Sequence, residues 1–70
     1  MQYSKAIKLL GRNIRRRRHA LNLSQEELAL RADIERSYMG RIERGEANPS
    51  FKKICAISRA LGREVYELVR

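Results

Sequence analysis

The chain has 70 residues, a length that holds one domain and at which a single core usually leaves only about 3 to 5 kcal/mol of net stability. Its residues are 43% hydrophobic but only 6% aromatic, without the β-branched and aromatic runs that announce a sheet, so an all-α fold is expected. The formal net charge is +8, from 16 Lys and Arg against 8 Asp and Glu, which points to a polyanionic partner, either nucleic acid or an anionic membrane.

That charge is uneven. Residues 1–23 carry Lys5, Lys8, Arg12, Arg15, Arg16, Arg17 and Arg18 with no acidic residue, whereas residues 24–45 nearly balance. Cys55 is the only cysteine and His19 the only histidine, too few for a disulfide or an ordinary zinc site, so a reduced cytoplasmic compartment and no metal or cofactor are expected. Lys5 and Lys8 interrupt the early apolar stretch, which falls far short of a signal-peptide core or the roughly 20 residues of a membrane span. Neither export nor membrane insertion is expected, and a membrane-surface partner is not expected either, because the first helix needs its apolar stripe for the core and the chain has no Trp.

From about Ser4 to Leu21, apolar residues fall at Ile7, Leu10, Ile14 and Leu21, spacings that place them on one face of a first helix. In "LNLSQEEL", Ser24 can cap a second helix and Glu27 can close a capping box, with Leu23 and Leu28 as a hydrophobic staple. This helix runs from Gln25 to about Ala32 and buries Leu28, Ala29 and Ala32. A turn follows at Asp33 and Ile34, where aspartate tolerates the left-handed conformation. The third helix begins near Glu35 or Arg36 and ends at Arg44, with Gly45 in the left-handed terminating position. In "EANPS", Asn48 can cap a fourth helix with Pro49 at its first position, and Ser50 is a rival cap. Phe51, Ile54, Cys55, Ser58 and Leu61 form the inward stripe before Gly62, and a short segment from Glu64 to about Val69 presents Val65, Leu68 and Val69. The expectation is a compact five-helix bundle.

The third helix has two unlike faces. At about 100° per residue, Arg36, Ser37, Gly40, Arg41 and Arg44 share an arc of roughly 140°, opposite Met39 and Ile42. A major groove admits an α-helix, and an arginine fork can bond both O6 and N7 of guanine, so this face suits the reading of base edges. Gly40 near the middle of the arc would let the helix lie close to its target, whereas in a purely structural helix it costs about 1 kcal/mol relative to alanine. A solvated face is the ordinary fate of arginines opposite an apolar stripe, but a short capped helix joined by a tight turn to a second one is the arrangement of a helix-turn-helix, here at about residues 25–44.

From Leu10 to about Leu68 the chain resembles the helix-turn-helix domains of phage Cro and CI repressors, the XRE family. The pieces that carry the resemblance are "LGRNIRRRRHALNLSQEELALRA", "RSYMGRIERGEANPS" and "ISRALG", and "IERSYMGRIERG" looks closest to the stand-alone controller proteins of restriction-modification systems. The resemblance implies a lambda-repressor-like domain that binds double-stranded DNA in a sequence-dependent way and regulates transcription. It assigns base reading to Arg36, Ser37 and Arg41, and backbone contact to Gln25, Tyr38 and Arg44. It also aligns Arg18 and Glu43 with an internal salt bridge and Ala29 with the small residue where the two helices cross. Asp33 stands where glycine is commonest, Glu35 replaces a Ser or Thr cap, and Arg63 with Glu64 replaces an apolar residue and a good cap.

Lys52 and Lys53, at the start of the fourth helix, could add backbone contacts, and Arg12 with Arg15 or Arg16 are weaker contenders. The small core and the terminal Val65, Tyr66, Leu68 and Val69 suggest a homodimer joined through the fifth helix, as in relatives, and hence a palindromic or pseudopalindromic operator. Cys55 reads as core and His19 as an exposed helical residue, with no catalytic constellation around either, so no enzyme is expected. With no second domain to hold one, no small-molecule effector is expected. The alternative is a protein-interaction module, such as an antitoxin or a bridging factor, whose basic helix grips a protein.

Overall fold

The computed structural model describes residues 3–70, which form α1 (Tyr3–Ala20), α2 (Gln25–Ala32), α3 (Arg36–Glu43), α4 (Phe51–Leu61) and α5 (Val65–Leu68), with no strand among the described residues. The expected all-α, five-helix architecture is the one observed. Among the described residues, no helix is long and apolar enough to cross a membrane.

The first four helices end in the same way. Asn22, Asp33, Gly45 and Gly62 all take left-handed conformations, with φ of 58°, 57°, 73° and 67°. In each case the next residue donates its N–H to the carbonyl five positions back: Leu23 to Arg18, Ile34 to Ala29, Glu46 to Arg41 and Arg63 to Ser58. These bonds satisfy carbonyls that the helix end would otherwise leave without partners. The starts are more varied. Ser24 accepts from the N–H of Glu27 at 3.0 Å, while the Glu27 carboxylate accepts from the N–H of Ser24 at 2.8 Å, closing the expected capping box. These bonds to Ser24 hold the Glu27 carboxyl below its ordinary value.

Ser50, not Asn48, caps α4, accepting from the N–H of Lys53 at 3.2 Å. The helix therefore starts at Phe51, and Pro49 lies buried outside it. This start corrects the inward stripe: Phe51 stands 68% exposed at the helix end, while Ile57, Ser58 and Leu61 are buried. Leu21 is also outside the core, because α1 stops at Ala20 and the left-handed turn at Asn22 carries the chain away.

The core gathers Leu10 and Ile14 of α1, Leu28, Ala29 and Ala32 of α2, Met39 and Ile42 of α3, and Ile57 and Leu61 of α4. Leu68 of α5 closes it at 2% exposure. Across this core α2 packs on α4 and α1 packs on α3. The second contact depends on Gly11. A Cβ there would collide with the main-chain oxygen of Ile42 and lie 2.7 Å from that of Glu43, so the absence of a side chain lets the end of α3 rest on α1.

Candidate nucleic-acid interface

The register of α3 follows from its apolar residues. Met39 and Ile42 are 0% and 1% exposed, which turns Arg36, Ser37, Arg41 and Arg44 to solvent. Glu35 precedes the helix without a side-chain cap bond; its carboxylate instead accepts from the Ser37 hydroxyl at 3.2 Å.

A buried ion pair fixes the end of this helix. Arg18 Nε and Nη2 donate to the two Glu43 carboxylate oxygens at 2.7 and 3.0 Å, and Nη1 donates to the Leu23 carbonyl at 2.9 Å. The internal salt bridge implied by the resemblance is thus present. It joins α1, the turn before α2, and the last residue of α3. Burial alone would push the Glu43 carboxyl up, but hydrogen bonds from Arg18 and Gln25, with the charges of Arg18 and Arg15, hold it below the ordinary value.

Gln25 extends this network outward. Its Nε2 donates to Glu43 Oε1 at 3.1 Å, and its Oε1 accepts from Arg36 Nη1 at 3.3 Å. The amide at the start of α2 therefore links the buried carboxylate to the first arginine of α3. The gap at Gly40 is filled from within the protein: a Cβ there would lie 3.1 Å from Arg44 Nη1 and 3.5 Å from Gln25 Oε1. Gly40 thus makes room for two side chains of the same face and is itself buried, where the sequence suggested direct approach by a partner.

The other polar residues cluster beside these. Tyr38 is half-buried, with Lys53 Nζ 4.9 Å and Arg41 Cζ 5.9 Å from its ring centre, so cation–π contacts bring the start of α4 beside α3. Arg41 Nη2 donates to the Glu46 carbonyl at 3.3 Å, and Arg44 Nε meets the Glu46 carboxylate at 3.1 Å. Glu46, for which no local sequence pattern signals a role, holds two arginines of the face. Lys52 is exposed next to Lys53. Gln25, Arg36, Ser37, Tyr38, Arg41, Arg44, Lys52 and Lys53 thus come from three elements.

The residues assigned to dimerisation do not all share a surface. Tyr66 and Val69 are exposed and Val65 is half-buried, but Leu68 points into the core. The correction is physical: a four-residue helix that closes a bundle must spend its best apolar side chain on that closure. Cys55 is half-buried and His19 exposed.

Residues 14–68 match the helix-turn-helix family. The control protein C.BamHI of Bacillus amyloliquefaciens is 42% identical over 62 residues, covering 87% of this chain and 76% of its own. The control protein C.SmaI of Serratia marcescens is 36% identical over 61 residues, covering 87% and 73%. The crystal structure of the restriction-modification controller protein C.AhdI from Aeromonas hydrophila superposes with a TM-score of 0.86 at 41% identity, covering 94% of this chain and 98% of that one. Fold, exposed basic α3 and relatives agree: the chain belongs to the XRE type of the helix-turn-helix family, whose members are DNA-binding transcriptional regulators and not enzymes.

Proposed function

We propose that residues 1–70 act in the cytoplasm as one DNA-binding unit of the controller kind, laying α3 in the major groove of a palindromic or pseudopalindromic operator. Arg36, Ser37 and Arg41 read base edges, and Gln25, Tyr38, Arg44, Lys52 and Lys53 hold the phosphate backbone. The observation that carries this reading is the exposure of Arg36 and Arg41 on a helix whose opposite side is locked into the core by Met39 and Ile42. Two copies join through Val65, Tyr66 and Val69, so that their α3 helices reach half-sites one turn apart, about 34 Å. The control-protein relatives support the controller assignment. Regulation then follows from occupancy, which either blocks or recruits polymerase.

Selection of bound duplexes from a random pool at physiological salt tests the reading. The expected product is a two-fold symmetric site with half-sites about one helical turn apart. A pool without a preferred duplex would overturn it in favour of a module that grips a protein.

A further inference from the structure

On the flank of α1 away from Arg15 and Arg18, a cleft of about 280 Å³ runs between α1 and the end of the chain, lined among others by Asn13, Arg16, Arg17, Arg63, Glu67 and Arg70. At about 100° per residue, the α1 residues of the cleft centre roughly 180° from those that meet Glu43. The two cationic regions therefore belong to different sides of the helix. We propose that this cleft is a binding site for a multiply charged free phosphate compound, held by the guanidinium forks of Arg16, Arg17, Arg63 and Arg70.

Charge is the first support. Four arginines line the cleft, against the Glu67 carboxylate and the main-chain oxygen of Arg70. Glu67 pairs with only one of them: its Oε2 is 4.0 Å from Arg63 Nε, while its Oε1 accepts from the N–H of Glu64 at 2.9 Å. Arg16 has no hydrogen bond or ion pair among the described residues. Rigidity is the second support. Arg17 Nε donates to the Leu61 carbonyl at 3.0 Å, which fixes that side chain, and its terminal nitrogens have no hydrogen bond or ion pair among the described residues. Asn13 Nδ2 donates to the main-chain oxygens of Leu68 and Arg70 at 3.0 and 3.2 Å, tying α5 to α1, and the Arg70 guanidinium lies 5.3 Å from the Tyr66 ring centre.

Planar guanidinium forks pair bidentately with phosphate, and several can share its oxygens at once. A ligand with one carboxylate would leave positive charge uncompensated, and a duplex seated on α3 faces the other side of α1. No second domain is required, because helices from both ends of the chain form the walls.

Titration of the ¹⁵N-labelled protein with inorganic pyrophosphate at constant ionic strength, followed at the backbone and arginine Nε resonances, tests the site without operator DNA. The expected result is a saturable shift confined to Asn13, Arg16, Arg17, Arg63 and Arg70. Arg16→Gln and Arg63→Gln should each weaken binding by roughly tenfold, the loss of one charge-assisted hydrogen bond, with an otherwise unchanged spectrum that reports an intact fold. Arg12→Gln, on the same helix outside the cleft, should leave the affinity unchanged. Equal weakening by Arg12→Gln, a shift that does not saturate, or a shift centred on α3 would overturn the proposal. So would a short non-operator duplex that shifts the cleft resonances where pyrophosphate does not.

Discussion

Arg18 and Glu43 meet fork to fork at 2.7 and 3.0 Å, with side chains 10% and 0% exposed. Removing one partner strands the other as a buried charge, a change that typically costs about 3 to 5 kcal/mol. Glu43→Ala is therefore expected to lower unfolding stability by that amount in urea titrations, whereas Arg18→Met combined with Glu43→Leu should recover most of it. A double variant as unstable as the single one would refute the stranded-charge account.

The same carboxyl ties stability to pH. Its folded pKa is depressed, so its contribution is complete above the unfolded value of about 4.3 and is lost as pH falls through the lower folded value. Stability measured from neutral pH down into the acid range should fall in that window. In Glu43→Gln this part of the slope should be absent; an unchanged slope would assign the acid sensitivity to other groups.

Gly11→Ala pits helix propensity against packing. Alanine gains about 1 kcal/mol in a helix interior, but here the new methyl group meets main-chain oxygens of Ile42 and Glu43 that have no rotamer to escape into. Forcing a methyl into such a contact commonly costs about 1 to 3 kcal/mol. Thermal unfolding should show a net loss of stability, and a raised Tm would mean that α3 can shift away freely.

On the proposed reading face, Arg41→Ala is expected to weaken operator binding by about 1 to 3 kcal/mol and to relax the preference at one base position. Arg44→Ala should weaken all duplexes alike and flatten the dependence of log affinity on log salt by about one unit. Repeating duplex selection with each variant separates the two roles; an unchanged preference with Arg41→Ala would remove it from base reading.

Two neighbouring residues of α5 should respond differently. Leu68→Ala removes a buried side chain and should cost about 2 to 5 kcal/mol of stability. Tyr66→Glu, at a residue 60% exposed, should leave the fold intact but shift sedimentation toward monomer. A Tyr66→Glu protein that sediments like the parent would overturn the proposed dimer through α5.

Much of this was legible in the sequence because local rules and the global fold agree. The capping box at Ser24 and Glu27, the left-handed residues Asp33, Gly45 and Gly62, and the apolar spacing of Leu28, Ala29, Met39 and Ile42 each depend on a few adjacent side chains. The misjudged positions are those where tertiary context decides. Asn48 and Ser50 are equally good caps in isolation, and the structure uses Ser50. Leu21 and Phe51 fit a helical stripe by spacing but lie beyond the ends of the core, while Leu68 was counted as surface although it closes the bundle. The α1–α3 approach at Gly11 and the Glu46 contacts to Arg41 and Arg44 join residues from elements whose angles no local pattern specifies.

Gln25 carries the influence of the hidden carboxylate to the outer arginine of α3. If Arg36 reads DNA as proposed, a geneticist collecting regulation-defective alleles would recover Glu43 substitutions beside Arg36 substitutions, though the first residue is buried. Protection footprints and mutant maps would disagree there, and the disagreement would trace the wiring between scaffold and contact surface.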